Sequence, residues 1–229
     1  MSQTRQLAAI LAADIAGYSR LMGADEESTL ERLKALRREL VDPKIAEHKG
    51  RLVKTTGDGL LVEFASVVDA LRCAVEVQRE MTGRNTGVPP DNRIEFRIGI
   101  NVGDIVVEDG DIFGDGVNVA ARLEALAEPG GICVAARVQE DAAGKLDLAF
   151  EDIGEQQLKN IARPIGAYRV VTAARPATPQ VSTGPPLPDK PSIAVLPSPI
   201  SPATPSRNIS LTAWSRRSSR RSAASAGCS

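Results

Sequence analysis

Two aspartates stand where a carboxylate is either costly or conspicuous. Asp14 closes the apolar run from Leu7 to Ala13, and a carboxylate at the end of a buried strand needs a partner or a metal. Asp58 lies in Gly57-Asp58-Gly59 between two strand-like runs, where the glycines permit a tight turn and close approach of a ligand. Taken singly, Asp14 also reads as a strand-end cap and Asp58 as a plain turn residue. If their strands are neighbours, the two acids share a site, and a pair of hard carboxylates without histidine suits Mg²⁺ or Mn²⁺. After Asp14, the stretch Ile15-Ala16-Gly17-Tyr18-Ser19 is a small-residue turn leading toward a helix, and its backbone N–H groups could hold phosphate oxygens. Asn118 and Arg122 are four residues apart on an expected helix and share a face. They could meet a ribose and a phosphate; the alternative is a solvated edge, with Arg122 paired to Glu124 or Glu128.

The elements that must carry these residues alternate in period. Leu7 to Ile15 reads as a buried strand. Asp25 caps a helix with Glu26 and Glu27 in its first turn and an apolar stripe of Leu30, Leu33, Leu36 and Leu40. Residues 51–56 and 60–64 form a hairpin about Gly57-Asp58-Gly59. Ser66-Val-Val-Asp69 opens a second helix through Met81 as a capping box. Strands follow at 94–101 and 104–107, then a third helix from near Val117 to just before Pro129-Gly130-Gly131. A short strand at 132–134, a short helix near 138–143 and strands near 148–153 and 167–171 complete the pattern. The opening order β-α-β-β-α-β predicts an α+β, ferredoxin-like βαββαβ sandwich, one antiparallel sheet with helices on one face.

Composition bounds the function. The chain has 229 residues and a net charge of −1, which by length is one domain, or one domain and a tail. Aromatics are only 3%, so the core must be aliphatic. The early apolar run is far shorter than the ~20 residues of a membrane helix and ends in a carboxylate, so neither a membrane span nor a signal peptide is expected and the cytoplasm is the expected location. Cys73, Cys133 and Cys228 are an odd number at wide spacing, which excludes a disulfide framework; the first two read as small core residues. His48 is the single histidine. That argues against a His-based metal centre or a Ser-His-Asp triad, and a solvated helix end is the expected place for it.

The motifs add up. Ala13-Asp-Ile-Ala-Gly-Tyr-Ser19, Lys54-Thr-Thr-Gly-Asp-Gly59, Phe96-Arg-Ile-Gly-Ile-Asn-Val-Gly103 and Asp111-Ile-Phe-Gly-Asp-Gly-Val-Asn-Val-Ala-Ala-Arg122 follow in order. Together they resemble the catalytic domain of class III nucleotidyl cyclases of the bacterial adenylate cyclase type, over about residues 5–172. The resemblance implies a metal set of Asp14, Asp58 and the backbone carbonyl of Ile15, holding two divalent cations, Mg²⁺ or Mn²⁺. It implies phosphate contacts from Gly17, Tyr18 and Ser19, a ribose contact from Asn118 and transition-state charge stabilisation by Arg122. Lys54 and Asp111 match the purine-reading pair. Adenine offers an acceptor at N1 and a donor at N6, which a lysine and a carboxylate fit, whereas guanylate cyclases of this family carry Glu and a small residue there. ATP is therefore the implied substrate, and 3′,5′-cyclic AMP and pyrophosphate the implied products. The triphosphate-binding lysine is assigned to Lys159 in Leu158-Lys-Asn-Ile-Ala-Arg163, with Arg163 as the alternative. In the family, chains pair head to tail: one supplies the metal aspartates and the other Lys54, Asp111, Asn118 and Arg122. This chain holds both sets, so a homodimer is implied. A nucleotide-sensing module without catalysis is the competing reading. The Gly-Gly-Asp/Glu-Glu-Phe hairpin of diguanylate cyclases is absent from the sequence, which counts against a third.

Charge divides the chain. Residues 1–172 hold 28 acidic and 21 basic side chains, residues 173–229 hold 1 acidic and 7 basic, and the second piece has 10 of the 15 prolines. Such a piece is expected to be a disordered tail. Its cluster Arg216, Arg217, Arg220, Arg221 reads as solvated, with no nucleic acid expected as partner. Asp189–Pro197 resembles the segment that follows the cyclase domain in longer bacterial relatives, which continue into tetratricopeptide-like repeats. Ser201 to Ser215 match what GC-rich codons of that continuation encode one base out of frame, so a frameshift is expected after Pro197.

Overall fold

The computed structural model describes residues 4–161 and 163–172; the expectations for the tail and its reading frame fall outside these residues. The order is β1 (Thr4–Ile15), α1 (Tyr18–Ala24), α2 (Glu26–Leu36), a π-helical turn (Arg37–Val41), α3 (Asp42–Glu47), β2 (Arg51–Thr56), β3 (Gly59–Phe64) and α4 (Val67–Arg84). After a 3₁₀ turn (Pro90–Asn92) come β4 (Phe96–Glu108), β5 (Asp111–Phe113), α5 (Asp115–Leu126), β6 (Ile132–Ala135), α6 (Ala136–Ala142), β7 (Ala149–Gln156) and β8 (Ile165–Val171). One sheet runs β2-β3-β1-β4-β6-β8-β7, with β5 paired to β4. Its first four strands have the ferredoxin-like order, and β1 is antiparallel to both β3 and β4. β6 adds to β4 in parallel.

Local chemistry starts the helices. The Asp25 side chain accepts from Ser28 N at 3.1 Å at the start of α2, and Ser66 Oγ accepts from Asp69 N at 3.4 Å at the start of α4. Three features depart from the sequence reading. Tyr18–Ala24 is a helix of its own, begun by Gly17 at φ 70°. The stripe ending at Leu40 continues through the π-helical turn into α3; Pro43, which has no backbone donor, lies just past that turn, where Asp42 N donates to Arg37 O in the wider π spacing. The two strands expected on either side of residue 102 are one, β4, which pairs with β1 without interruption from Ile15↔Phe96 to Thr4↔Val107.

The two sheet faces are different. One face presents Ala9, Leu11, Ala13, Phe96, Ile98 and Ile100 to the helices before β4, and forms the main core with Phe64, Ala74 and Val77. It is aliphatic apart from Phe64 and Phe96, each 1% exposed. Burying one such side chain contributes about 1.5–3 kcal/mol. The opposite face carries Ala8, Ile10 and Ala12 of β1, across from Gly103, Asn101 and Gly99 of β4. The alanines and glycines of this lane are the seat of α5. A Cβ on Gly99 would lie 2.2 Å from Ala120 O and Glu124 N, and a Cβ on Gly116 3.0 Å from Ile10 Cδ1. The third helix therefore lies on the face opposite the other helices, since backbone can approach backbone this closely only across glycine and alanine.

Candidate nucleotide and metal site

Asp14 and Asp58 reach one place by strand pairing. β1 pairs with β3 up to Ala13↔Leu60, which sets the β2–β3 turn beside the end of β1. Burial there, with a hydrogen bond to the Asp14 carboxylate, pushes the Asp58 carboxyl up from 3.8 to about 6. Two carboxylates held this close disfavour one another's charged form. They share one arginine, Arg97, directly across the ladder from Asp14, whose Nη2 donates to Asp14 Oδ2 at 2.8 Å and whose charge also pulls on Asp58. Its Nε lies 3.2 Å from Glu124 Oε1 on α5. Burial first, and the charges of Asp14 and Asp58 after it, push the Glu124 carboxyl up to about 7 against the pull of Arg97. The donor set is all-carboxylate and under-neutralised, which fits a hard divalent cation.

The Asp58 shift fixes a pH dependence. Its folded pKa lies above its ordinary value, so the protonated form is favoured by folding. Its contribution to stability is complete below 3.8 and is lost as pH rises through about 6. Without metal, the melting temperature of the wild type is expected to fall across that window more steeply than that of Asp58→Asn, and Mn²⁺ to raise it more above the window than below. Parallel melting curves for the two proteins would mean that neither burial nor Asp14 raises Asp58 in the folded chain.

A second cluster forms where the tip of the β4–β5 hairpin meets β2. Arg51 Nη1 donates to Gly110 O at 2.7 Å, and Arg51 is also ion-paired to Glu63. Lys54 Nζ donates to both oxygens of Asp111, at 2.7 and 2.9 Å. The lysine, and then the Ile112 N–H, hold the Asp111 carboxyl below its usual range. Lys54 Nζ stands 5.7 Å from the centre of the Phe113 ring, which is 49% exposed.

Asn118 and Arg122 both lie on the exposed side of α5. The two glutamates that could have occupied Arg122 are engaged elsewhere, Glu124 with Arg97 and Glu128 with Arg169. Ile15 is 2% exposed, with its side chain in the core. Ala16 N donates to Glu95 O, and Gly17 O accepts from Arg20 N and Leu21 N at the start of α1. Tyr18 packs against the core and Ser19 is exposed. Lys159 and Arg163 are exposed between β7 and β8, at the other end of the sheet from β2.

Sequence reading missed Arg97 and Glu124. The signal was there in part, since Arg97 alternates with Gly99 along β4 and so shares the face of α5. His48 was misread. Its side chain is 10% exposed and Nε2 lies 3.2 Å from Glu76 Oε2. Among the described residues, Glu47, His48 and Glu76 bring ligand atoms within 4.8 Å of one another. Lys44 already supplies the cation there, at 2.8 Å from Glu76 and 2.9 Å from Glu47, and the group bolts α3 to α4. Cys73 and Cys133 are buried, and burial pushes their thiols up to about 12 and about 11.

A ferredoxin-like sheet extended beyond β4, with paired acids at the end of β1 and a helix lodged on glycines of β4, is the fold of class III nucleotidyl cyclases. Residues 1–172 match the profile of the adenylate and guanylate cyclase catalytic domain. A protein of Rhizobium meliloti (strain 1021) named "Putative adenylate cyclase 3" is 50% identical over 196 residues, covering 84% of this chain and 33% of that protein. The solved adenylate/guanylate cyclase/hydrolase from Silicibacter pomeroyi is 55% identical with a TM-score of 0.71, covering 74% of this chain and 99% of that one. The adenylyl cyclase CyaB from P. aeruginosa shares the fold, with a TM-score of 0.66 at 24% identity, over 76% of this chain and 98% of that one. The chain belongs to the adenylate and guanylate cyclase catalytic domain family. It spans a third of the length of its Rhizobium relative. Among the described residues no helix is long and apolar enough to cross a membrane.

Proposed function

We propose that residues 1–172 are an adenylate cyclase domain that converts ATP to 3′,5′-cyclic AMP and pyrophosphate in a head-to-tail homodimer, with the cytoplasm as its compartment. The observation that carries this reading is the Asp14–Asp58 pair that the β1–β3 ladder brings together at the end of β1, where burial and the Asp14 carboxylate raise Asp58 to about 6. Asp14, Asp58 and the Ile15 carbonyl would hold two divalent cations, Mg²⁺ or Mn²⁺, which when bound supply the Lewis acidity that ionises a ribose hydroxyl and anchors a triphosphate. The N–H groups of Gly17, Tyr18 and Ser19 would receive phosphate oxygens, with Lys159 taking the far end of the triphosphate. Lys54 would donate to adenine N1 while Asp111 accepts from the N6 amino group. Asn118 would orient the ribose so that its 3′ oxygen lines up with the α-phosphorus, and Arg122 would meet the charge that grows on the α-phosphate.

Purified full chain with Mn²⁺ and either ATP or GTP tests this. Cyclic AMP from ATP, rising faster than linearly with protein concentration, is expected. No cyclic product at concentrations where the dimer is demonstrated would move the assignment to a nucleotide-sensing module.

A further inference from the structure

Arg97 is shared between two anions on different elements. Asp14 belongs to β1 and takes Nη2 at 2.8 Å; Glu124 belongs to α5 and lies 3.2 Å from Nε. The first contact is a good hydrogen bond. The second is not: Arg97 Nε and Glu124 Oε1 are both buried and, close as they are, neither has an aligned partner. Glu124 cannot move away, because α5 is fixed on Gly99, where a Cβ would sit 2.2 Å from Glu124 N. Its side chain is only 14% exposed. A buried carboxylate oxygen therefore waits within reach of a guanidinium that is aligned on Asp14. An unmet buried charge-bearing atom is costly, so this arrangement favours a small turn of Arg97 toward Glu124 as soon as Asp14 is otherwise occupied.

We propose that Glu124 is a positioning residue for cation binding: when a divalent cation takes the Asp14 carboxylate, Glu124 receives the displaced Arg97 guanidinium as an aligned ion pair. The inference rests on the reading that Asp14 and Asp58 hold the metal. Arg97 stands in for the cation in the metal-free protein, and Glu124 gives it somewhere to go. Without Glu124 the anions left near the guanidinium are Asp14 and Asp58, the same two carboxylates that the cation takes, so an incoming cation must displace it into a site with no counter-charge of its own.

The test is direct Mn²⁺ binding to the full chain at pH 8 without nucleotide, followed by the electron paramagnetic resonance signal of free Mn²⁺. A double-mutant cycle separates relay through Arg97 from simple loss of a nearby negative charge. Glu124→Gln, isosteric and uncharged, is expected to weaken binding roughly three- to tenfold in the wild-type background and less than about twofold in an Arg97→Gln background. Equal weakening in both backgrounds would overturn the proposal, since a through-space charge effect does not need Arg97. An unchanged affinity in the wild-type background would overturn it as well, leaving Glu124 a packing residue. Mn²⁺ binding that survives Asp58→Asn, or is absent from the wild type, would sink the metal reading and this inference together. Should the glutamine variant not fold, Glu124→Met, of similar length and without charge, makes the same comparison.

Discussion

Two variants that are each inactive, Asp58→Asn and Arg122→Ala, are expected to regain cyclic AMP formation when mixed. The geometry of α5 is the reason. Glu124 turns toward the C-terminal end of β1 and meets Arg97, beside Asp14. Arg122 is two residues earlier, about 200° away around the helix, and is exposed. An arginine on that side does not face the acids of its own chain, so in the proposed dimer it serves the acids of the second copy. Arg122→Ala alone should lose about 10²–10³ in kcat, as for removal of one group that stabilises developing charge. Asp58→Asn should lose more, because half of the carboxylate pair is gone. In a statistical mixture half the dimers are mixed, and each has one site carrying both defects and one carrying neither. Activity should therefore recover to about a quarter of the wild-type value in a two-fold symmetric assembly. The assay is cyclic AMP formation against mixing ratio at fixed total protein. A mixture no better than the average of its parts would place each site within a single chain.

Lys54→Glu together with Asp111→Ser is expected to invert the choice of purine. In the free protein the two residues satisfy each other, with Lys54 Nζ 2.7 and 2.9 Å from the Asp111 carboxylate. A base that engages the pair must replace this contact on both sides, which adenine does with its N1 acceptor and N6 donor. Guanine presents the opposite polarity and leaves both groups unmet. Sites built to hydrogen-bond a substrate reject a mismatched one by about 10⁴–10⁵ at the upper end. Lys54 is 41% and Asp111 33% exposed, so water screens part of that penalty and about 10²-fold is the expected discrimination at this site. The double variant should make cyclic GMP faster than cyclic AMP, with kcat/KM for ATP and GTP as the readout. If both substrates fall together, the pair is a brace between β2 and the β4–β5 hairpin and does not read the base. Thermal melting separates that outcome from simple unfolding.

Much of the framework was legible in local order. The run before Asp14 makes β1, the Gly57-Asp58-Gly59 turn makes the hairpin, and Ser66 and Asp25 start their helices, because capping and turn chemistry act within a few residues. Where local signals were weak, the reading failed. Nothing in Tyr18–Ala24 carries a cap side chain, and α1 was not foreseen. A break was expected at Val102-Gly103, yet β4 runs through it, because pairing with β1 along its whole length outweighs the local cost of glycine in a strand.

The residue types of the site, two acids, a lysine–aspartate pair and an Asn–Arg face, were set by the sequence alone, since spacing along one strand, turn or helix is a local property. Their company was decided only by the tertiary structure. Arg97 meets Asp14 because β4 pairs with β1 in one register, and it meets Glu124 because two glycines let α5 settle on that face. Lys54 finds Asp111 across 57 residues because the β4–β5 hairpin reaches β2. A slip of one residue in the ladder would turn each of these side chains to the other face of the sheet. Long-range register, which no local spacing encodes, is what assembles the charges into a site.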